Sequence, residues 1–338
     1  MTLSTDVTHL AAEVPPETGL AIYTQMARMR GMEKRAYDLF LQNLVKGTSH
    51  LSLGQEAIAA GFGVAMRRDD YTFATYRGHA HTLARGVPMA GILAELMGRG
   101  NGLLAGKGGS MHLTSVEHGM MGSYAIVGAH LPIAAGAAWS AQYRDSGQVA
   151  VCFFGDGATN IGAFHEALNL AAVWRLPVVF VCENNQYMEY TPIQSVTAVA
   201  HPAADRAPGY NLPKIIIDGN DPDAVYLTAV AALSGARDGK GPALIEAQTY
   251  RHGGHSRADP AKYRQPDEVR LWLERDPLPM YRQRLLDRGI AEGTLTAVEA
   301  ESAALVDEAT AEAAAGATPD LGLIHKDLWA DGGSSWRN

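Results

Sequence analysis

Gln148-Val-Ala-Val-Cys-Phe-Phe-Gly-Asp-Gly157 and Pro177-Val-Val-Phe-Val-Cys-Glu-Asn-Asn185 bracket the stretch that decides the fold. Each opens with an apolar, β-branched run of the kind that forms a strand buried on both faces. Each then turns polar, at Gly155-Asp156-Gly157 and at Asn184-Asn185. Between them Ile161, Phe164, Leu168, Ala171 and Val173 mostly keep the three-to-four spacing of one helix packed on a sheet. Strand, helix and strand in that order predict a right-handed βαβ crossover, which brings both polar turns to one sheet edge.

Magnesium takes hard oxygens in near-octahedral order and draws most of them from phosphate and water, keeping one or two protein side chains. Asp156 and Asn185 supply such oxygens. The backbone N–H groups of Gly157 and Ala158 are expected to open toward the helix start, where unpaired donors and partial positive charge favour a phosphate. The edge therefore reads as a pocket for a magnesium diphosphate. Without a ligand, the same residues read as a helix cap at Asp156 and an ordinary turn at Asn184 and Asn185.

Outward from this unit the alternation continues. Leu212–Ile217 and Ala243–Thr249 read as strands separated by a helix from about Pro222 to Ala236. The fold class is α/β, a doubly wound, mostly parallel sheet flanked by helices. Residues 1–18, with Pro15-Pro16, form an N-terminal arm; 19–265 form the α/β domain, opening on a helix from Leu20 to Val45; 266–338 form a C-terminal helical extension and a tail containing Gly332-Gly-Ser-Ser-Trp336. Residues 48–130 are rich in Gly, His and Met and weak in periodicity, so they predict loops and short helices around a ligand. The segment Pro132–Ser140 is small on nearly every face, which suits either a subunit contact or a tightly packed core helix.

With 338 residues, 47% of them hydrophobic and 19% charged, the chain can build a large core. A net charge of −8 gives no basic field, so neither nucleic acid nor an anionic membrane is expected as a partner. No apolar run is long enough to span a bilayer and the first residues show no targeting pattern, which predicts a bacterial cytoplasmic location. Cys152 and Cys182 fall inside apolar strands and read as core thiols rather than a disulfide.

The Gly-Asp-Gly at 155–157 followed by Asn184-Asn185 resembles the thiamine diphosphate signature. With Ser49-His-Leu-Ser-Leu-Gly-Gln-Glu56, Thr75-Tyr-Arg-Gly-His79, Gly106-Lys-Gly-Gly-Ser-Met-His112, Ile126-Val-Gly128 and Tyr250-Arg-His-Gly-Gly-His-Ser256, the chain from about Gly19 to Trp329 resembles the alpha subunit of the dehydrogenase component of 2-oxo acid dehydrogenase complexes, of the pyruvate or acetoin type.

That resemblance implies the cofactors thiamine diphosphate and Mg2+. It implies that Asp156, Asn185 and the backbone carbonyl of Tyr187 bind the metal, and that Tyr76, Arg77 and His255 bind the diphosphate, His255 with a part in proton transfer and Arg251 and His252 adding positive charge. His79 is a weaker catalytic candidate. Gly157 and Ala158 line the cofactor, and Ala125 and Val127 meet its aminopyrimidine. Tyr124-Ala125 stands where many relatives carry Asn-Gly. The segment Ile126-Val127 otherwise reads as core. Ala258–Arg264 is shorter than the regulated form and lacks a serine before Tyr263, so regulation by loop phosphorylation is not expected, although Ser256 is in place.

A carboxylic acid beside the aminopyrimidine is needed to generate the ylid, and no such glutamate block occurs in this chain. The chain is also too short for both domains of a single-chain thiamine enzyme. The resemblance implies a beta subunit that supplies the pyrimidine domain and catalytic glutamate, in an assembly of two alpha and two beta chains. The substrate is a small 2-oxo acid or acetoin, and the enamine formed from it passes its acyl unit to a lipoyl acyltransferase. The alternatives are a stand-alone thiamine-dependent lyase or synthase without a lipoyl partner, and a non-catalytic scaffold subunit.

Overall fold

The computed structural model describes residues 13–45, 47–326 and 329. Most of the N-terminal arm and the tail at Gly332–Trp336 lie outside the described residues. The centre is a parallel sheet of six strands: β1 (Tyr71–Thr75), β2 (Met120–Tyr124), β3 (Ala150–Gly155), β4 (Val178–Asn184), β7 (Ile215–Asp218) and β8 (Ala243–Gln248). Their spatial order is β2-β1-β3-β4-β8-β7, and every pairing is parallel. A two-stranded antiparallel ribbon, β5 (Tyr187–Met188) with β6 (Thr191–Pro192), projects beyond β4.

Alternation along β3 and β4 builds two cores. Cys152, Phe154, Phe180 and Cys182 face α5 (His130–Tyr143) and α6 (Gly162–Trp174), packing with Leu131, Ala134, Ala135, Ala138, Phe164 and Leu168. Val151, Phe153, Val179 and Val181 face α2 (Glu56–Ala65) and α7 (Pro222–Arg237), packing with Ile58, Phe62, Val225 and Leu233. Both cysteines are free and buried, as expected. The small residues of α5 thus serve the chain's own core, while Ile133 and Trp139 on the same helix stay exposed.

A third core joins helices from the two ends of the chain. Met26, Met29, Met32 and Ala36 of α1 (Pro16–Leu41) pack with Ile92 and Leu93 of α4 (Met89–Leu96), Leu285 of α9 (Pro277–Asp287), and Leu295, Val306 and Ala309 of α10 (Glu292–Ala315). The helices that follow α8 (Pro266–Leu273) therefore share a core with α1 rather than standing apart from it. Arg30 of α1 ties them further: it bonds Glu56 at the start of α2 and Asp276, the cap of α9.

Several boundaries differ from the sequence expectation for physical reasons. The first helix starts at Pro16 rather than Leu20, because proline at the first helical position gives up only an N–H that would be unpaired anyway. It stops at Leu41, where Asn43 takes φ 60°. The segment 48–130 contains β1, β2, α2, α3 (His79–Ala84) and α4, so it is more regular than its composition suggests. The expected single helix after Asp156 is a 3-10 turn over Asp156–Asn160 followed by α6 from Gly162.

Among the described residues no helix is long and apolar enough to cross a membrane. Phe180 sits fully buried in the middle of β4, between β3 and β8. Phe180→Ala is expected to cost about 3–5 kcal/mol of folding stability, read from urea unfolding; a cost below about 1 kcal/mol would contradict the two-sided burial of β4.

Candidate functional site

The chain leaves β1 toward the β2 edge and leaves β3 toward the β4 edge, so the strand order reverses between them. Crevices of open α/β sheets form at the carboxyl ends of strands at such a reversal. A cavity of about 500 Å³ opens there, lined by segments that follow β1, β2, β3 and β4 and by the loop after β8.

Most residues singled out from the sequence meet in it. Tyr76, Arg77, Ala125, Val127, Asp156, Gly157, Ala158, Asn185, Tyr187 and His255 all line the cavity. Register explains how residues so distant in sequence come together. Gly155 pairs with Glu183 across β3 and β4, so Asp156 and Asn185 leave adjacent strands at the same level. Gln186 then takes φ 73° and its N–H is received by Asn184 Oδ1 at 3.2 Å, which bends the chain into β5. Asn184 is itself held, donating to Glu246 Oε1 at 2.7 Å.

Asp156 is the electrostatic centre of this arrangement. It is 2% exposed, its Oδ1 accepts from the Gly157 N–H at 2.7 Å, and its Oδ2 is buried without a partner. Burial pushes its carboxyl up to about 7. The Gly157 N–H is thus turned back onto Asp156 instead of opening at a helix start, which corrects the sequence expectation for that donor. Glycine is needed here for space: a Cβ at 157 would lie 2.6 Å from Met188 Cγ.

Positive charge stands opposite without carboxylates of its own. Arg77 is buried and donates only to backbone carbonyls, those of Leu51 and of His255, the latter at 3.0 Å. Arg251 is 2% exposed; its Nη2 donates to the Glu189 carbonyl at 2.8 Å and contacts Tyr263 Oη at 3.2 Å, while Nε and Nη1 have no partner. Two buried guanidiniums with unspent charge in one cavity are suited to a phosphate group.

The histidines behave differently from a cationic cluster. His50, Tyr76 and His255 form a triangle of rings with centroids 4.4, 4.8 and 5.7 Å apart. Burial, with Arg77 beside it, holds His50 down at about 2, and burial with Arg77 and Arg251 lowers His255 to about 4. Both rings are neutral at physiological pH. His252 lies outside the cavity, 3.9 Å from Asp276. The charge therefore comes from Arg77 and Arg251 alone among these residues.

His79 does not reach the cavity. It is fully buried beneath it, with Nδ1 2.9 Å from Glu33 Oε2 and Nε2 2.7 Å from Ser110 Oγ, and Ser110 donates on to Ser49 at 2.8 Å. This chain ties together segments that reach the wall at His50, Arg77 and Met111. Glu183 does line the cavity, and its Oε1 is engaged by His81 at 3.1 Å.

The glycine-rich segment at 106–109 has the look of a phosphate loop, yet its donors are already used. Glu95, fully buried, accepts from the backbone N–H groups of Leu104, Gly106, Gly108 and Gly109 at 2.7–3.0 Å. Across the cavity, Asp259 shapes the other loop, accepting from the N–H groups of His255 and Ala261 and from Tyr263.

Sequence reasoning missed His50 and Gln55 as wall residues and gave Arg251 only a share in a cluster. The first two lie within the quoted segment 49–56, but nothing in their spacing assigns them a role. Ile126 and Val127 are 71% and 46% exposed, so the reading of that pair as core fails. Val127 lines the cavity, and Ile126 beside it is open to solvent.

Among the described residues no group of three or more His, Cys, Asp or Glu side chains could hold a metal. A cation here would draw on the carboxyl of Asp156 with amide and carbonyl oxygens, a donor set that suits Mg2+. The cavity fits a magnesium diphosphate: it offers one unpartnered carboxylate oxygen at Asp156 and unpartnered donors at Gln55 and Arg251.

The family model for the dehydrogenase E1 component matches residues 24–321. The alpha subunit of acetoin:2,6-dichlorophenolindophenol oxidoreductase from Bacillus subtilis (strain 168) is 45% identical over 271 residues, covering 80% of this chain and 81% of that relative. The pyruvate dehydrogenase E1 component subunit alpha from Rhizobium meliloti (strain 1021) is 38% identical over 319 residues, 94% of this chain and 91% of the relative. The corresponding acetoin subunit from Cupriavidus necator is 39% identical over 311 residues, 91% and 93%.

The raised carboxyl of Asp156 makes a stability prediction. An acid whose folded value lies above its unfolded one binds more protons when folded, so stability falls as pH rises from about 4 to about 7. Without divalent metal, Asp156→Asn should therefore be more stable than the parent at pH 8, by an amount on the order of 3 kcal/mol. The gain should shrink toward pH 5, and thermal unfolding across that range checks it. Equal stabilities at pH 8 would contradict the unpartnered burial.

Proposed function

The chain belongs to the dehydrogenase E1 component family and is the alpha subunit of a thiamine-diphosphate-dependent oxidoreductase that works with a beta subunit; from that premise we propose that Asp156, Asn185 and the Tyr187 carbonyl hold Mg2+ against the cofactor's diphosphate. Tyr76, Arg77 and Arg251 would take the phosphate oxygens, with His255 and His50 as neutral partners. Ala125 and Val127, on either side of the exposed Ile126, would lie along the aminopyrimidine. The observation that supports this most is the unpartnered Oδ2 of Asp156 in a cavity whose two guanidiniums lack carboxylates.

When bound, the cofactor supplies the nucleophilic carbon and electron sink that let the bond beside a carbonyl break. The residues of this chain do the rest of their share by binding and orienting. Arg77 and Arg251 are fixed by backbone carbonyls before any ligand arrives, so little reorganisation accompanies binding. His255 is neutral, so one of its ring nitrogens can accept a hydrogen bond at the cavity wall while the other donates. His79 is a positioning residue, its imidazole locked between Glu33 and Ser110.

The substrate is a small 2-oxo acid such as pyruvate, or acetoin, in keeping with the names of the relatives. The beta subunit would contribute the acidic group beside the aminopyrimidine, in an assembly of two alpha and two beta chains. A lipoyl acyltransferase would take the acyl unit, in the bacterial cytoplasm.

Calorimetric titration of the alpha–beta complex with thiamine diphosphate tests this reading directly. Binding should require Mg2+, and Asn185→Ala should weaken it about tenfold to a hundredfold. The complex should reduce an artificial electron acceptor with pyruvate or acetoin. Cofactor affinity that is the same with and without divalent metal would overturn the metal assignment.

A further inference from the structure

Asn185 lies between two groups that decide which way its amide faces. Its Oδ1 accepts from the backbone N–H of Tyr187 at 3.3 Å, so its Nδ2 is the end that meets Gln55, donating to Oε1 at 3.2 Å. The two ends of an amide differ in being donor or acceptor, so this choice propagates. Because Gln55 presents its oxygen to Asn185, its Nε2 is turned the other way. That nitrogen is buried and has no partner, on a side chain that is 2% exposed and lines the cavity. An unmet buried donor is destabilising, a penalty that an incoming acceptor removes.

The base of Gln55 is rigid. It precedes α2, and the next residue, Glu56, receives Arg30 at 3.0 Å and the Gly54 N–H at 2.9 Å. No acceptor reaches Gln55 Nε2 among the described residues: of the carboxylates that line the same cavity, Glu183 Oε1 is engaged by His81 and Asp156 Oδ1 by Gly157, while Asp156 Oδ2 makes no hydrogen bond at all. An acceptor brought by the ligand, with negative charge and several oxygens, matches what the donor lacks.

We propose that Gln55 is a diphosphate-binding residue that works with both ends of its amide: Nε2 donates to a phosphate oxygen, while Oε1 holds Asn185 so that its Oδ1 faces the cation. This rests on the reading of the cavity as a magnesium diphosphate site. It adds to that site a donor from the residue that precedes α2, in hydrogen-bond contact with the turn after β4.

Two substitutions separate the two ends. Gln55→Glu keeps an oxygen for Asn185 and replaces the donor by a negative charge; Gln55→Met keeps the length and removes both functions. Each would be studied in the alpha–beta complex by calorimetry with magnesium thiamine diphosphate, by competition with magnesium and inorganic diphosphate, and by thermal unfolding without ligand. Both variants should unfold within a few degrees of the parent yet bind the cofactor about tenfold to a hundredfold more weakly. Gln55→Glu should lose at least as much as Gln55→Met, and inorganic diphosphate should weaken in parallel. A Gln55→Glu protein that binds like the parent would overturn the proposal even if Gln55→Met binds weakly, since only the acceptor would then matter. Failure of the parent complex to bind magnesium and cofactor would instead overturn the reading of the cavity, so the two failures are distinguishable.

Discussion

The unmatched charge of the cavity is the constraint on which the rest of the structure depends. Asp156 keeps a buried carboxylate oxygen without a partner, and Arg77 and Arg251 keep guanidiniums without carboxylates. No ion pair joins them to one another among the described residues, and each is tethered locally: Asp156 to its own following N–H, Arg77 to two carbonyls, Arg251 to a carbonyl and a phenol. Holding them apart costs stability, which the three apolar cores offset. What results is one carboxyl and two guanidiniums lining a single cavity without neutralising partners of their own.

Carboxylates, Glu95 and Glu246 fully buried and Asp259 partly so, also do the work that strands and helices do elsewhere. Glu95 collects four backbone N–H groups from the glycine-rich segment, Glu246 collects those of Ala203 and Ala204 together with Asn184, and Asp259 collects two from the loop that carries His255. A loop without a ladder still has to satisfy its donors, and an internal anion with several lone pairs can serve many of them. The wall segments around the cavity are therefore shaped before any ligand arrives. Glu33, His79, Ser110 and Ser49 join three of those segments from below.

Much of this was legible in the sequence. Continuous apolar runs ending on Asp156 and Asn185 identify β3 and β4, and parallel pairing then places both residues on one edge. The strands β1 and β2 escaped because Tyr71-Thr-Phe-Ala-Thr75 is only five residues long within a Gly- and His-rich stretch and Met120-Met-Gly-Ser-Tyr124 carries few strand-forming residues; β1 is held by pairing with β3, and β2 by pairing with β1. The order in the glycine-rich segment was expected to come from a ligand, and the structure finds it in Glu95, a residue whose role no local pattern reveals. His79 looked like a wall residue because it follows Arg77 by two positions, yet the start of α3 turns it into the interior. Gln55 carried no signal at all, since its role follows only from which end of Asn185 it meets.

The most direct measurement is the anomalous scattering of Mn2+ in crystals of the alpha–beta complex grown with thiamine diphosphate. The account predicts one peak per alpha chain, within coordination distance of Asp156 Oδ2, Asn185 Oδ1 and the Tyr187 carbonyl, with the diphosphate between that peak and the guanidiniums of Arg77 and Arg251. A bound cofactor with the metal elsewhere, or with the side chains of Asp156 and Asn185 turned away from it, would contradict the account.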